Sequence, residues 1–331
     1  LAGTMVGTAG IAAFLRQQGW HDASRAPLAG DASTRRYERL MQDDRRALLA
    51  TVPPGESHDS FVKIAGLLHA VGLSAPTVLA ADPDQGLLLV EDFGDGTYSA
   101  LLQAGAPPLP LYELATDALL HLHQHFIAAD LPVFDQAVFL RQTMLFCETY
   151  LPSVLGPVGE TIKDDFRAAW QAPLGRALAV PQSLLLRDFH AGNLFRLPAR
   201  PGVRACGLID FQDAGIGPVT YDLVSLLQDA RRDVGEAVTA ACLSRYCAGF
   251  PEASGAAFET SYAVLAAQRH VRVIAVFARL ADQGRPEYLE YLPRLWRLLN
   301  QALSHPALAG VAAWFGAHVP AAVQTGQQSR Q

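Results

Sequence analysis

Two short apolar runs that each stop on an acidic residue constrain this chain more than anything else in it. LLLRDFHAGNL (184–194) carries an apolar segment into Asp188 and Asn193, and LIDFQDA (208–214) carries another into Asp210. Apolar runs of this length between turn signals read as buried strands. A packed core has no use for Asp or Asn at their ends, so these residues either form polar turns or do chemistry. Asn193 lies five positions after Asp188 on a loop, and Asp210 follows Asp188 by twenty-two. If the two strands fold as a hairpin, the three side chains converge. Together they supply what phosphoryl transfer needs: one carboxylate to orient and deprotonate an acceptor hydroxyl, and an Asn oxygen with a second carboxylate to hold Mg²⁺.

The rest of the chain divides in character. IAAFLRQQG (11–19) has helical spacing and closes on Gly19. Strands are expected over 37–41 and 46–52, joined by the polar turn Gln42-Asp43-Asp44, with Gly30–Thr34 as the tip of an earlier hairpin. SFVKIAGLLHAVGL (60–73) reads as a helix with Ser60 as its cap and Gly72 as its stop. TVLAADPDQGLLLVEDFGDG gives a strand, a turn and a second strand ending at Val90. From residue 98 the pattern is mostly helical, with helices expected over 112–126, 139–151, 162–170, 221–229, 234–246, 258–280 and 288–303, and short strands over 183–186 and 205–209. The order is a small β-rich lobe, a Gly-containing hinge at 91–96, and a larger helical lobe, an α+β class with the division placed at 1–92 and 93–331. The polar tail QTGQQSRQ is expected to fray.

Composition narrows the function. Half of the 331 residues are hydrophobic and 18% are charged, as in a well-packed globule. The net charge is −6 with no basic block, which argues against nucleic-acid and polybasic membrane surfaces. No apolar run reaches the roughly 20 residues of a membrane span. The N-terminus lacks the order of a signal peptide, LAGT ahead of Met5 reads as an addition to the natural start, and a cytoplasmic location is expected. Cys147, Cys206, Cys242 and Cys247 have no CxxC or metal-ligand spacing and read as reduced thiols. His121, His123 and His125 do not all share one helix face and do not read as a metal site.

The spacing Asp188-x-x-x-x-Asn193 matches the catalytic loop of kinases, and Asp210-Phe211 matches the start of their metal-binding Asp-Phe-Gly, with Gln212 in place of Gly. The chain resembles the aminoglycoside phosphotransferase and choline kinase superfamily, which has the protein-kinase-like two-lobed fold. That superfamily commonly carries His two residues before the catalytic Asp; here the position is Leu186. Within it, GDASTRRYERL, TVPPGE, SAPTVLAAD, LLLVEDFGD, RDFHAGNL, LIDFQDAGIGPVTYDLVSLLQDAR and QRHVRVIAVFARL most resemble the anomeric N-acetylmuramate/N-acetylglucosamine kinases of bacterial cell-wall recycling.

This resemblance implies an ATP- and Mg²⁺-dependent kinase acting on a small-molecule sugar and working as a monomer. Asp188 would be the catalytic residue, and Asn193 and Asp210 the metal ligands. The backbone of Ala32, Ser33 and Thr34 and the guanidinium of Arg35 or Arg36 would cap the ATP phosphates; the alternative is an exposed hairpin with solvated arginines. Glu91-Asp92-Phe93 would be the hinge that pairs with adenine. Asp222 either caps its helix or braces the catalytic loop, and Asp213 either touches metal or substrate or serves a turn. His190 is a further candidate for substrate binding. Arg269 and Arg272 could bind an acidic sugar, such as the lactyl carboxylate of N-acetylmuramate, or pair with acids of the helical lobe.

Kinases usually grip the α- and β-phosphates with a Lys on the third strand. All but two of the 26 basic residues here are Arg, and of the lysines Lys63 and Lys163 neither lies on that strand; Arg46 is the nearest cation. The rival readings are phosphorylation of an aminoglycoside or other amino alcohol, which would want a pocket rich in Asp and Glu, and a catalytically silent nucleotide binder, suggested by the missing Lys.

Overall fold

Asp43 and Asp44 reverse the chain so tightly that Gln42 faces Arg45 across the turn, with Asp43 in the left-handed region at φ +53°. The computed structural model describes residues 7–28, 35–53, 58–127 and 129–326. The expected hairpin tip at Gly30–Thr34 and most of the polar tail lie outside these residues. The chain forms two units, Leu1–Ala106 with Gly192–Asp213, and Pro107–Ala191 with Ala214–Gln331.

In chain order the first unit starts with α1 (Thr8–Gln17), whose buried Ile11, Phe14 and Leu15 fall on one helical face. Strands β1 (Ser24–Pro27), β2 (Arg36–Gln42) and β3 (Arg45–Thr51) follow, then helix α2 (Asp59–Ala70) and strands β4 (Val78–Asp82) and β5 (Leu87–Glu91). The sheet is antiparallel in the order β1-β2-β3-β5-β4. Alternate residues Ala47, Leu49, Leu87 and Leu89 form one core with Leu40, Trp20 and the apolar face of α1. The helix expected to start with a Ser60 cap instead begins at Asp59, with His58 at the cap position and no side-chain cap bond. Helix α3 (Tyr98–Gln103) closes this stretch, capped by Thr97 Oγ1, which accepts from the Ala100 N–H at 3.0 Å.

The chain then enters the second unit with α4 (Pro108–His125), α5 (Gln136–Leu145), a π-turn at Phe146–Tyr150, α6 (Leu151–Leu155), α7 (Glu160–Ala177) and strand β6 (Gln182–Leu185). It returns to the first unit for the hairpin of β7 (Leu194–Arg196) and β8 (Cys206–Leu208), whose residues bridge to Thr97 and Ser74. Strand β9 (Gly215–Pro218) and helices α8 (Thr220–Leu227), α9 (Glu236–Gly249), α10 (Gly255–Asp282), α11 (Leu292–Leu303), α12 (Ala309–His318) and α13 (Ala321–Gln324) complete the second unit. Among the described residues no helix is long and apolar enough to cross a membrane.

The strand pairing corrects one expectation. The strand leading to Asp188 does not pair with the strand leading to Asp210: β6 pairs with β9, and β8 pairs with β7. The sequence GIGP of β9 looks like a turn, because glycine weakens a strand and proline interrupts its ladder. The glycines are there for space. A Cβ at Gly217 would lie 2.4 Å from Leu185 Cδ1, and one at Gly215 would lie 2.3 Å from the Pro132 carbonyl oxygen.

Helix α10 runs through the second unit's core, packed with Trp296, Tyr150, Phe146, Phe166 and Phe315. Phe146 is fully buried, with ring centroids 5.2–6.0 Å from Tyr150, Phe166, Trp296 and Phe315. Trp296 Nε1 donates to the Tyr150 hydroxyl at 3.1 Å, so the indole's one polar group is satisfied inside. His123 Nδ1 meets the Tyr246 hydroxyl at 2.6 Å, and burial pushes this imidazole down to about 3, which makes it a neutral core group. Phe146→Ala is expected to cost about 3–5 kcal/mol, read as a lower urea midpoint at unchanged m-value.

Candidate active site

The loop after β6 turns sharply at Arg187, which holds φ +74°, a conformation that costs a side-chain-bearing residue of order 1–3 kcal/mol. It persists because Asp222 on α8 over-determines it. The Asp222 carboxylate accepts from the Leu186 N–H at 2.6 Å and the Arg187 N–H at 2.9 Å, and the residue is 1% exposed. Of the two roles open to Asp222, this geometry is that of the brace; Val219 stands at the cap position of α8. Burial pushes the Asp222 carboxyl up to about 7, against the pull of its two N–H donors.

The brace presents Asp188. Its backbone N–H donates to the Leu186 carbonyl at 3.0 Å, and its own carbonyl accepts from the His190 N–H at 3.1 Å. Burial alone would raise the Asp188 carboxyl, but Arg272, Arg269, His190 and Arg187 outweigh it and hold the group below the ordinary carboxylate range. Arg272 Nη2 lies 3.8 Å from Asp188 Oδ1. Arg269 is 3% exposed and donates from Nη2 to Ser225 Oγ at 2.9 Å. His190 is buried with Arg231 Nη1 at 3.4 Å; burial lowers its basicity, as does Arg231, against the opposite pull of Asp229 and Asp188. Arg231 and Asp229 were invisible as site residues in the sequence, since a polar SLLQDARRD stretch reads as a helix end.

In the first unit Asn193 and Asp210 stand at the open end of the β7–β8 hairpin. Asn193 ends a short 3₁₀ turn, Ala191–Asn193, and its carbonyl accepts from the Ile209 N–H at 3.1 Å. Asn193 Nδ2 donates to Asp210 Oδ2 at 3.2 Å, and Gln212 Nε2 donates to Asp210 Oδ1 at 2.8 Å. Asp210 holds φ +60°, so both carboxylates singled out by the sequence sit at or beside a left-handed residue. Phe211 stacks on Phe61 of α2 with ring centroids 4.9 Å apart, which anchors the chain one residue after Asp210. Burial raises the hydroxyl of Tyr37 on β2, against the pull of Arg35 and with a smaller push from Asp210.

Ala32, Ser33 and Thr34 lie outside the described residues. Arg36 opens β2, and Arg35 hydrogen-bonds Tyr37. Glu91 is engaged as a clamp: one carboxylate oxygen pairs with Arg200, and the other accepts from Thr77 N–H at 3.2 Å and Thr77 Oγ1 at 3.0 Å. Phe93 packs edge-on against Phe195 at 5.7 Å. Asp92 is buried, as is Phe93, and pairs with Arg39 Nε at 2.7 Å. Lys63 is exposed on α2, Arg46 lies against Gly94, and Asp213 is exposed. Among the described residues no group of three or more His, Cys, Asp or Glu assembles a metal cage.

A carboxyl whose proton is held more tightly folded than unfolded contributes stability that is complete below the ordinary carboxylate range and fades as the pH rises through about 7. The urea midpoint is therefore expected to fall between pH 5 and pH 8, and Asp222→Asn, which has no proton to lose, is expected to flatten that slope while lowering the midpoint throughout.

The family described as phosphotransferase enzyme matches residues 24–258. An N-acetylmuramate/N-acetylglucosamine kinase of Caulobacter vibrioides is 36% identical over 93% of this chain and 96% of its own length, and one of Pseudomonas aeruginosa is 37% identical over 88% of each. Among solved structures, the ADP-bound aminoglycoside phosphotransferase APH(2'')-Ib is similar with TM-score 0.60 at 17% identity, over 90% of this chain and 99% of that one. The Plasmodium vivax ethanolamine kinase is similar with TM-score 0.62 at 10% identity, over 91% and 90%. The β-rich first unit, the largely helical second unit and these similarities agree, and the chain belongs to the phosphotransferase enzyme family.

Proposed function

We propose that this protein is a kinase that transfers the γ-phosphoryl group of ATP to the anomeric hydroxyl of N-acetylmuramate or N-acetylglucosamine, in the cytoplasm and as a monomer. The observation that carries the reading is an Asp188 carboxylate kept ionised among arginines, in a chain whose relatives named for these two sugars are 34–37% identical to it.

Asp188 accepts the hydrogen bond of the acceptor hydroxyl and orients it. In the loose transition state of phosphoryl transfer little proton removal is needed early, so an ionised carboxylate serves better as an aiming group than a strong base would. The donor set on Asn193 and Asp210 fits Mg²⁺: both offer hard oxygens, and Mg²⁺ takes one or two carboxylates with phosphate oxygens and water rather than a protein cage. Such an ion, when bound, neutralises charge on the transferring group. Gln212, in the place of the usual Gly, holds Asp210 Oδ1 and limits its rotation. Arg35, Arg36 and the backbone of Ala32–Thr34 are assigned to the ATP phosphates, and the backbone around Glu91–Phe93 to adenine. The arginine-rich surroundings of Asp188 oppose a polycationic aminoglycoside.

The test is phosphate transfer from labelled ATP with Mg²⁺ to N-acetylmuramate, N-acetylglucosamine and kanamycin in parallel. An acid-labile anomeric phosphate on either sugar is expected, and Asp188→Asn is expected to lower kcat by about 10²–10⁴-fold. Asn193→Ala and Asp210→Ala are expected to raise the Mg²⁺ concentration needed for half-maximal rate. Transfer to kanamycin alone, or bound ATP with no transfer to any acceptor, overturns the reading.

A further inference from the structure

Residues 269 and 272 lie three apart on α10, so their side chains share a face of the helix. Against two acids, Asp188 and Asp229, this region sets four arginines. Arg187, Arg269 and Arg272 all lower the proton affinity of Asp188, and Arg231 stands beside the neighbouring His190. Asp222, which would offset them, is itself pushed towards its neutral form. Arg269 has Nη2 on Ser225, while its Nε and Nη1 have no hydrogen-bond partner among the described residues. A buried guanidinium with N–H groups unsatisfied among the described residues is costly for stability, which points to another use of the charge.

Arg272 differs from Arg269 in reach: its side chain is 11% exposed, and that of Asp188 is 35% exposed. The 3.8 Å between them exceeds a hydrogen bond, whereas an Arg–carboxylate fork closes to about 2.7–2.9 Å. Arg272 therefore exerts a Coulomb pull on Asp188 without being closed onto it as a fork.

We propose that Arg272, backed by Arg269 one turn earlier on α10, is the counter-cation for a carboxylate carried by the acceptor sugar, and so sets the preference for an acidic sugar over a neutral one. The inference rests on the sugar-kinase reading. A carboxylate brought near Asp188 places two like charges in a partly desolvated site, and a cation beside them offsets that repulsion. N-acetylglucosamine carries no such charge and needs no such cation.

Any effect of Arg272 that acts through Asp188 is common to both sugars and cancels in the ratio of their kcat/KM values. In Arg272→Gln that ratio, N-acetylmuramate over N-acetylglucosamine, is expected to fall about tenfold or more, with Arg272→Lys recovering part of it. The unsubstituted protein supplies an independent arm: the carboxamide of N-acetylmuramate, in which the acid is neutralised, is expected to raise KM by a similar factor. An unchanged ratio in Arg272→Gln together with equal KM for acid and carboxamide overturns the proposal, even with both sugars still phosphorylated. Failure of the unsubstituted protein to phosphorylate either sugar overturns the underlying reading instead.

Discussion

A single buried carboxylate accepting two consecutive backbone N–H groups sets the geometry of the loop that carries Asp188. Leu186 and Arg187 leave strand β6 with their amides turned inward, and without Asp222 these donors would be buried and unpaired. The brace permits a left-handed Arg187, and the left-handed Arg187 swings the following residue out of the strand direction. The backbone of its neighbours therefore places Asp188, whose carboxylate has Arg272 Nη2 at 3.8 Å. The same buried group is raised towards neutrality while Asp188, two residues from the braced Leu186, is driven the other way by arginines. Two aspartates of one small region thus have opposite electrostatic characters, one a strut pushed towards neutrality and the other a carboxylate held low by arginines.

The first unit reaches a similar end with different means. Asn193 and Asp210 flank a two-stranded hairpin whose ladder ends just before them, so the last backbone bond, Ile209 N–H to Asn193 O, fixes their separation. Phe211 stacked on Phe61 holds the exit of the hairpin against α2. Strain at Asp210 is tolerated because its side chain is bonded from both sides.

Much of this was legible from residue order. Continuous apolar runs marked β5, β6 and β8, and their acidic ends marked Asp188 and Asp210, because burial and chemistry place conflicting demands on residue type. Most helices with 3.6-residue spacing match with ends off by a few positions, but α7 runs seven residues past its expected end and α12 has no expected counterpart. What escaped was whatever tertiary packing decides. Strand β9 is built of Gly, Ile, Gly and Pro for lack of space beside Leu185 and Pro132, and that reason exists only once the strands are assembled. Helix α3 and strand β1 are too short for a period to register. The pairing of β6 with β9 rather than β8 could not be inferred from two strands that look alike. Nor could Arg231 and Asp229 be placed near His190, since charge at a helix end is usually solvated.

The first unit is assembled from two separated stretches of chain, with Gly192–Asp213 supplied more than eighty residues after Ala106. Strands β7 and β8 then add to structure formed far earlier, bridging to Thr97 and Ser74. During synthesis on the ribosome the unit cannot be completed when its first 106 residues emerge; it waits for all of α4 to α7 and β6 to be made. Its closing piece is the segment that carries Asn193 and Asp210, so a chain arrested before it would own the complete five-stranded sheet without these two residues. Vectorial synthesis thereby places completion of the first unit after α4 to α7 and β6 have emerged and before β9 and α8 to α13, an order written into the sequence of the elements.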